Sequence, residues 1–241
     1  MKFDFKNKVV LITGGTSGIG KQLVSDFLKL GAKVICTTTN IKNRKNKKNL
    51  FFEELDFNNN FNVENFLSRI RKYSKIDVLI NNAGVNKLDY INEIKLEDWQ
   101  KIQNVNVEGP MLLTKEISKI MIKKENGRII NISSIFGVVS KEKRAMYSTS
   151  KSALLGLTKA SSLDLAKYNI LVNSVSPGFV DTPLTRKIVG KKGFKKLVKN
   201  IPIGKMAKTY DISSLVIFLS SKHNSYITGQ NFIIDGGVTA R

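Results

Sequence analysis

Tyr147 and Lys151 stand four residues apart in "AMYSTSKSALLGLTK", residues 145–159. The run reads as a helix, and on a helix positions i and i+4 share a face one turn apart. A phenol and an ammonium therefore project from one side. Small neighbours (Ala145, Ser148, Thr149, Ser150, Ser152, Ala153) leave room beside them. A free phenol, with a pKa of about 10, is poorly matched to proton transfer near neutrality. A cation one turn away stabilises the phenolate and lowers that value. The pair can act as a general acid and base, or it can be a surface pair beside a packing face. The rest of the chain decides between them.

The elements around the pair alternate. "KVVLITGG" (8–15) reads as a buried strand, and "KQLVSDFLKLGA" as a helix that stops at Gly31. "KVICTT" and "NLFFEELD" follow as strands, "NVENFLSRIRKY" as a helix and "IDVLINNAG" as a fourth strand. "LEDWQKIQNVNVEGPMLLTKEISKIMIKK" reads as one long helix and "GRIINISS" as a fifth strand. After the helix that carries Tyr147 come the strand "ILVNSVSPG", the helix "DISSLVIFLSS" and a last strand, "NFIIDGG". This alternation predicts an α/β fold: a doubly wound parallel sheet with helices on both faces, in a single domain over 1–241.

The first strand-to-helix turn reads "TGGTSGIG" (13–20), with glycines at 14, 18 and 20. Such glycines permit a tight turn and let backbone approach a pyrophosphate at a helix N-terminus. Placed between a strand and a helix, the turn points to a nucleotide.

Composition removes other chemistries. With one cysteine (Cys36) and one histidine (His223) there is no Cys/His metal cluster, intrachain disulfide or Ser-His-Asp triad in prospect, so no metal is expected. Cys36 reads as a buried packing residue and His223 as structural or solvated. No apolar run approaches the roughly 20 residues that span a bilayer. No signal segment is evident, and a cytoplasmic protein is expected. The net charge is +21, from 40 Lys+Arg against 19 Asp+Glu. Such a field attracts nucleotides, acidic proteins, nucleic acid or anionic membranes, and composition alone does not choose among them. No nucleic-acid module is recognisable, so specific nucleic-acid binding is not expected.

"TGGTSGIG", "NNAG" (81–84), "NVN" with Asn106, "ISS" with Ser134, "YSTSK" and "PGFVDT" (177–182) occur in one order along the chain. In this the sequence resembles the short-chain dehydrogenase/reductase family over nearly its whole length. The resemblance implies an NAD(P)(H)-dependent oxidoreductase that moves a hydride between nicotinamide and a carbonyl or secondary alcohol. It gives Tyr147 the proton transfer. Lys151 supports the phenolate and the nicotinamide ribose, Ser134 (rather than Ser133) bonds the substrate oxygen, and Asn106 (rather than Asn104) anchors a proton relay to solvent. It implies cofactor contacts at Gly14, Thr16, Ser17, Gly18, Ile19, Gly20, Thr38, Asp56, Phe57, Asn82, Ala83, Gly84, Tyr147, Lys151, Pro177, Gly178, Val180 and Thr182. Asp56 would meet the adenine, Ile19 the nicotinamide ribose, and Pro177, Gly178 and Thr182 the nicotinamide.

The end of the second strand carries Thr37, Thr38 and Thr39 and no acid. An acid there would bind a ribose 2′-hydroxyl and repel a 2′-phosphate. Lys42, Arg44, Lys45, Lys47 and Lys48 follow, so NADP(H) is expected over NAD(H). Ser17, where many NADP-dependent relatives carry a basic residue, weighs the other way. The segment between strands two and three is short, which predicts a cut-back helix there. The segment 182–206 occupies the family's substrate-loop position. Leu184, Ile188, Val189, Phe194, Leu197 and Val198 offer an apolar lid, and Lys187, Lys191, Lys192, Lys195, Lys196 and Lys199 make it basic. The subfamily resembled is the 3-oxoacyl-[acyl-carrier-protein] reductases, which implies a carrier-bound acyl substrate, with Lys123, Lys124 and Lys167 for docking. Reductases of sugars, polyols and other small alcohols share the same stretches and remain the alternative, as does a catalytically silent cofactor binder. The resemblance also implies a homo-oligomer, a tetramer or dimer, in which the face of Ser152, Ala153, Gly156 and Ala160 suits close helix packing.

Overall fold

Seven short apolar runs pair into one sheet in the computed structural model, which describes residues 2–42 and 44–240. The strands are β1 (Val9–Ile12), β2 (Lys33–Thr38), β3 (Leu50–Glu54), β4 (Val78–Asn81), β5 (Gly127–Ile132), β6 (Ile170–Pro177) and β7 (Asn231–Ile234). Their order is β3-β2-β1-β4-β5-β6-β7, and every pairing is parallel. Parallel strands need crossovers, and the helices that supply them cover both faces.

Alternation along the strands divides the core in two. Val10, Ile12, Val34, Ile80 and Ile130 face α1 (Gly18–Lys29) and α7 (Thr209–Ser220), meeting Leu23, Phe27, Ile212 and Val216. Leu11, Ile35, Leu79 and Ile129 face α2 (Asn60–Ile70) and α4 (Gly109–Ile122), meeting Phe66, Ile70, Leu113 and Ile117. Cys36 is buried in the first cluster, where burial raises its thiol to about 11. It is a packing residue.

Two departures from regularity matter for the site. The long helix read from the sequence is three pieces: α3 (Leu96–Gln103), a π-helical turn at Asn104–Glu108, and α4. π-turns inside helices are uncommon and frequent at functional sites, and this one carries Asn106. Between β2 and β3 the described residues form no helix, only turns and an isolated bridge between Lys47 and Leu50. The sequence expectation of a cut-back helix agrees. Asn43 of that loop lies outside the described residues. The Tyr147 segment is α5 (Ala145–Leu165), and α6 (Pro183–Lys199) covers most of the 182–206 segment. A break at Gly190 (φ 63°) divides α6 in two. The side chains expected at Lys191, Lys192, Phe194 and Lys195 lie outside the described residues.

Candidate active site

The chain order turns back between β1 and β4, and a cleft opens there at the carboxyl ends of the strands, the usual ligand position in such sheets. It measures about 400 Å³, and each cofactor contact expected above lines it, as does Ser134. One end is the glycine turn. Gly14 and Gly18 hold φ of +62° and +51°, which a side chain would strain. A Cβ at Gly20 would lie 2.4 Å from the Gly14 carbonyl oxygen and 2.5 Å from Asn82 Nδ2. The turn is thus closed against "NNAG". Asn82 Nδ2 donates to the carbonyls of Thr13 (2.8 Å) and Gly14 (3.3 Å), and Thr13 Oγ1 accepts from the amides of Asn82 (3.0 Å) and Ala83 (2.9 Å).

Beyond the turn, α1 begins at Ser17, whose side chain makes no capping bond, and no acid stands in its first turn. Unsatisfied helix N–H groups and the helix dipole attract an anion there. The glycine cradle, the uncapped helix and the size of the cleft fit a dinucleotide. Asp56 lines the cleft where the adenine was expected, and its Oδ1 accepts from the Asn58 amide at 2.9 Å. Thr182 is the N-cap of α6, accepting from Thr185 N at 3.2 Å, and it packs over Gly18.

The other end holds the residues suited to proton transfer. Lys151 is 3% exposed. Its Nζ donates to the Ile132 carbonyl at 2.8 Å and lies 5.6 Å from the centre of the Tyr147 ring. Burial in this spot lowers its pKa from 10.5 to about 8. Burial pushes the Tyr147 phenol above its usual 10, opposed by the neighbouring Ser134 hydroxyl and by the Arg144 guanidinium. The spacing points to Lys151 for that opposition; in the free protein Ser134 and Arg144 oppose the rise. Ser134 Oγ also accepts from Phe136 N at 3.1 Å. Ser133, the rival, donates to the Lys151 carbonyl at 3.0 Å and is a structural tie to α5.

Asn106 does not line the cleft. It stands just behind it, 1% exposed. Its Oδ1 accepts from Val85 N at 2.9 Å, and its Nδ2 donates to Val85 O at 2.9 Å and to Ser150 Oγ at 3.0 Å. Its amide therefore locks the segment after "NNAG" against α5. A Cβ at Gly84 would make ordinary contact with Lys151 Nζ at 3.4 Å and Asn106 Oδ1 at 3.6 Å, so Gly84 adjoins both side chains. Asn104 faces outward to Gln100 and Asn58.

Asn81 of "NNAG", a motif whose resemblance implies support of the central sheet, heads a buried polar ladder whose other members sequence reasoning missed: Asn81 Nδ2 donates to Asn131 Oδ1, and Asn131 Nδ2 to Thr158 Oγ1, each at 2.8 Å. It ties β4 to β5 and to α5 beneath the site. The signal was present as asparagines inside two apolar strands. His223 sits far from the cleft, its Nε2 3.1 Å from the Lys2 carbonyl and its ring edge-on to Phe3. Among the described residues no group of His, Cys, Asp and Glu could hold a metal, and no helix is long and apolar enough to cross a membrane. Lys123, Lys124 and Lys167 are exposed but stand just before β5 and β6, at the amino ends of the strands, opposite the cleft.

Comparison with known proteins agrees with this geometry. A family model described as enoyl-(acyl carrier protein) reductase matches residues 14–239. A 3-oxoacyl-[acyl-carrier-protein] reductase, FabG, from Rickettsia typhi is 38% identical, over 98% of each chain. ElxO with NADP bound superposes with a TM-score of 0.89 at 32% identity, covering 97% of this chain and 99% of that one. A 4-hydroxyisoleucine dehydrogenase complexed with NADH gives 0.91 at 33%, covering 98% and 100%. This chain belongs to the short-chain dehydrogenase/reductase family and is an NAD(P)-dependent oxidoreductase acting on CH–OH groups and the corresponding carbonyls.

Proposed function

We propose that the chain reduces a carbonyl compound with NADPH, using Tyr147 as proton donor. The observation that carries this reading is the convergence of Tyr147, Ser134 and Lys151 at one end of a cleft whose other end is a phosphate cradle. The bound nicotinamide supplies the hydride. Ser134 Oγ donates to the substrate oxygen as charge develops on it. Tyr147 passes its phenolic proton to that oxygen, completing the alcohol. The Lys151 ammonium, steadied by Ile132 O, stabilises the phenolate left behind and offers its remaining donors to the nicotinamide ribose. Asn106 is a positioning residue: it holds Val85 and Ser150, and through them the wall beside Lys151.

NADPH is preferred because no acid stands at Thr37–Thr39 and because Lys42, Arg44, Lys45, Lys47 and Lys48 follow. Two substrate classes fit. A 3-oxoacyl thioester on an acidic carrier is supported by the curated relative's name and by the lysines of the 182–206 segment, which would act as a basic substrate loop. A small hydroxy or oxo acid is the second reading, favoured by an unpaired guanidinium beside Tyr147 (taken up below) and by a dehydrogenase named for 4-hydroxyisoleucine among the solved structures. The protein would work in the cytoplasm as a homotetramer or dimer built on the small-residue face of α5.

Absorbance of NADPH and, separately, NADH followed with an acetoacetyl thioester tests the reading, with Tyr147→Phe as control. NADPH turnover that vanishes in the variant supports it. Cofactor binding without turnover of the thioester or of a panel of small oxo acids and alcohols would instead support a silent cofactor binder.

A further inference from the structure

Arg144 stands three residues before Tyr147, where side chains on a helix share a face. The α5 ladder already includes it, since Ser148 N donates to the Arg144 carbonyl at 2.7 Å. Along one face of the helix the order is therefore guanidinium, phenol, ammonium. Lys151 marks the cofactor end, so Arg144 lies beyond Tyr147 on the side away from it.

Its guanidinium carbon sits 4.6 Å over the Phe136 ring. That ring meets Tyr147 edge-on at 6.4 Å and Phe179 at 6.2 Å. The cation is half-buried on this aromatic support. The arginines that carry a counter-charge do so plainly: Arg69 with Glu53, Arg71 with Glu116, Arg186 with Asp181. Buried Arg128 is satisfied by the carbonyls of Gly127, Asn169 and Asn224. Arg144 has neither kind of partner among the described residues. Its neighbour Lys143 is likewise held over a ring, Tyr90, at 4.2 Å. Removing a cation from water without a counter-ion is unfavourable. A guanidinium held over a ring rather than by a counter-ion has N–H donors left for a ligand, and its fork matches a carboxylate with two parallel hydrogen bonds.

We infer that Arg144 is a specificity-determining residue that binds a carboxylate on the substrate, close to the reacting carbonyl. Three residues along a helix is a rise of about 4.5 Å. That spacing suits an acid group a few bonds from the carbonyl, as in a short oxo acid. The inference rests on the carbonyl-reductase reading and, within it, selects the small-acid class over the carrier-bound thioester.

The experiment measures kcat/KM with NADPH for pyruvate, acetoacetate and levulinate, each against its ethyl ester, and for an acetoacetyl thioester. At least one acid is expected to exceed its ester by tenfold or more. Arg144→Gln should collapse that acid-to-ester ratio by at least tenfold, and Arg144→Lys should restore part of it. A residue that only tunes Tyr147 would change acid and ester alike and leave the ratio standing. Binding is read separately in Tyr147→Phe protein with NADPH bound, by titration calorimetry with the same acids and esters. Acid-over-ester binding that disappears when Arg144→Gln is added carries the inference even if nothing is turned over, in which case the reductase reading alone fails. Esters or thioester equal to or better than every acid, or a ratio unmoved by Arg144→Gln, would overturn it.

Discussion

Lys151 gives a prediction that separates its catalytic value from its structural cost. The ammonium is 3% exposed, and its pKa falls from 10.5 to about 8 through burial. At about 1.4 kcal/mol per tenfold change, that drop corresponds to about 3 kcal/mol against holding the charge in place. The unfolded chain keeps this proton up to 10.5, whereas the folded chain releases it near 8. Below pH 8 the whole cost is present. Between the two values the unfolded state binds more protons, so this group's contribution to stability rises with pH. Lys151→Met removes the charge and keeps the chain length. It also removes the bond to the Ile132 carbonyl, a loss of about 1 kcal/mol. At pH 7 the cofactor-free variant should therefore be more stable than the parent by about 2 kcal/mol, or about 4–8 °C in Tm for a chain of this size. At pH 10 that advantage should be nearly gone. Urea unfolding of both proteins at pH 7, 8, 9 and 10, at one protein concentration, reads the difference directly. The comparison cancels the general relief of a +21 charge as pH rises, because both proteins share it. A difference that does not change between pH 7 and 10, or a variant less stable at pH 7, would refute the argument that burial of a charged lysine governs this site.

The same group should shape activity: carbonyl reduction should lose kcat/KM as pH rises through about 8, when Lys151 gives up its proton, and a flat profile from 7 to 9 would contradict this. Tyr147→Phe should lower kcat by about 10²–10⁴-fold, the usual range for a lost general acid, while the cofactor Kd measured by fluorescence stays within about threefold. Gly20→Ala should weaken cofactor binding at least tenfold with an unchanged circular dichroism spectrum, because the new methyl would lie 2.4 Å from a carbonyl oxygen in the phosphate turn. Gly156→Ala, whose methyl meets nothing within 4 Å in the single chain, should gain about 0.5–1 kcal/mol from helix propensity in denaturant unfolding of the dissociated chain, whereas in an oligomer packed on this face of α5 the same methyl should weaken association.

What the sequence made legible was whatever depends on local pattern. Apolar runs of four to eight residues alternating with helical periodicity are enough to specify a parallel sheet, because only crossover helices can bury both of its faces. The glycine turn was legible because its residue types answer a steric demand that the structure now shows at Gly20 and Gly18. The break in the long helix was not legible. "IQNVNVEGP" keeps an apolar stripe through the π-turn, and a single extra residue in the turn leaves no composition signal. Asn106 could be picked out by resemblance, with a relay to solvent as its expected role; the bonds of its side-chain amide to Val85 and Ser150 could not be read from the sequence. The balance of charge around Tyr147 was equally out of reach. Spacing shows that Lys151 neighbours Tyr147 but does not show burial, which in the free protein drives the phenol up and the ammonium down together, with Ser134, at the end of another strand, and Arg144, from the preceding turn, opposing the rise in the phenol.

A cation that is costly to keep charged in the free protein gains most when an anionic or phenolate partner forms beside it. Lys151 is weakly committed, with its Nζ bonded to one carbonyl, and Arg144 lies over the Phe136 ring with no counter-ion among the described residues. Both stand one turn from Tyr147, on opposite sides along α5. On the proposed mechanism, a phenolate left at Tyr147 would be flanked by these two cations. In the cofactor-free protein burial holds the phenol neutral, and on the proposed mechanism removing either cation should slow the proton-transfer step more than it weakens binding of the cofactor's adenosine end.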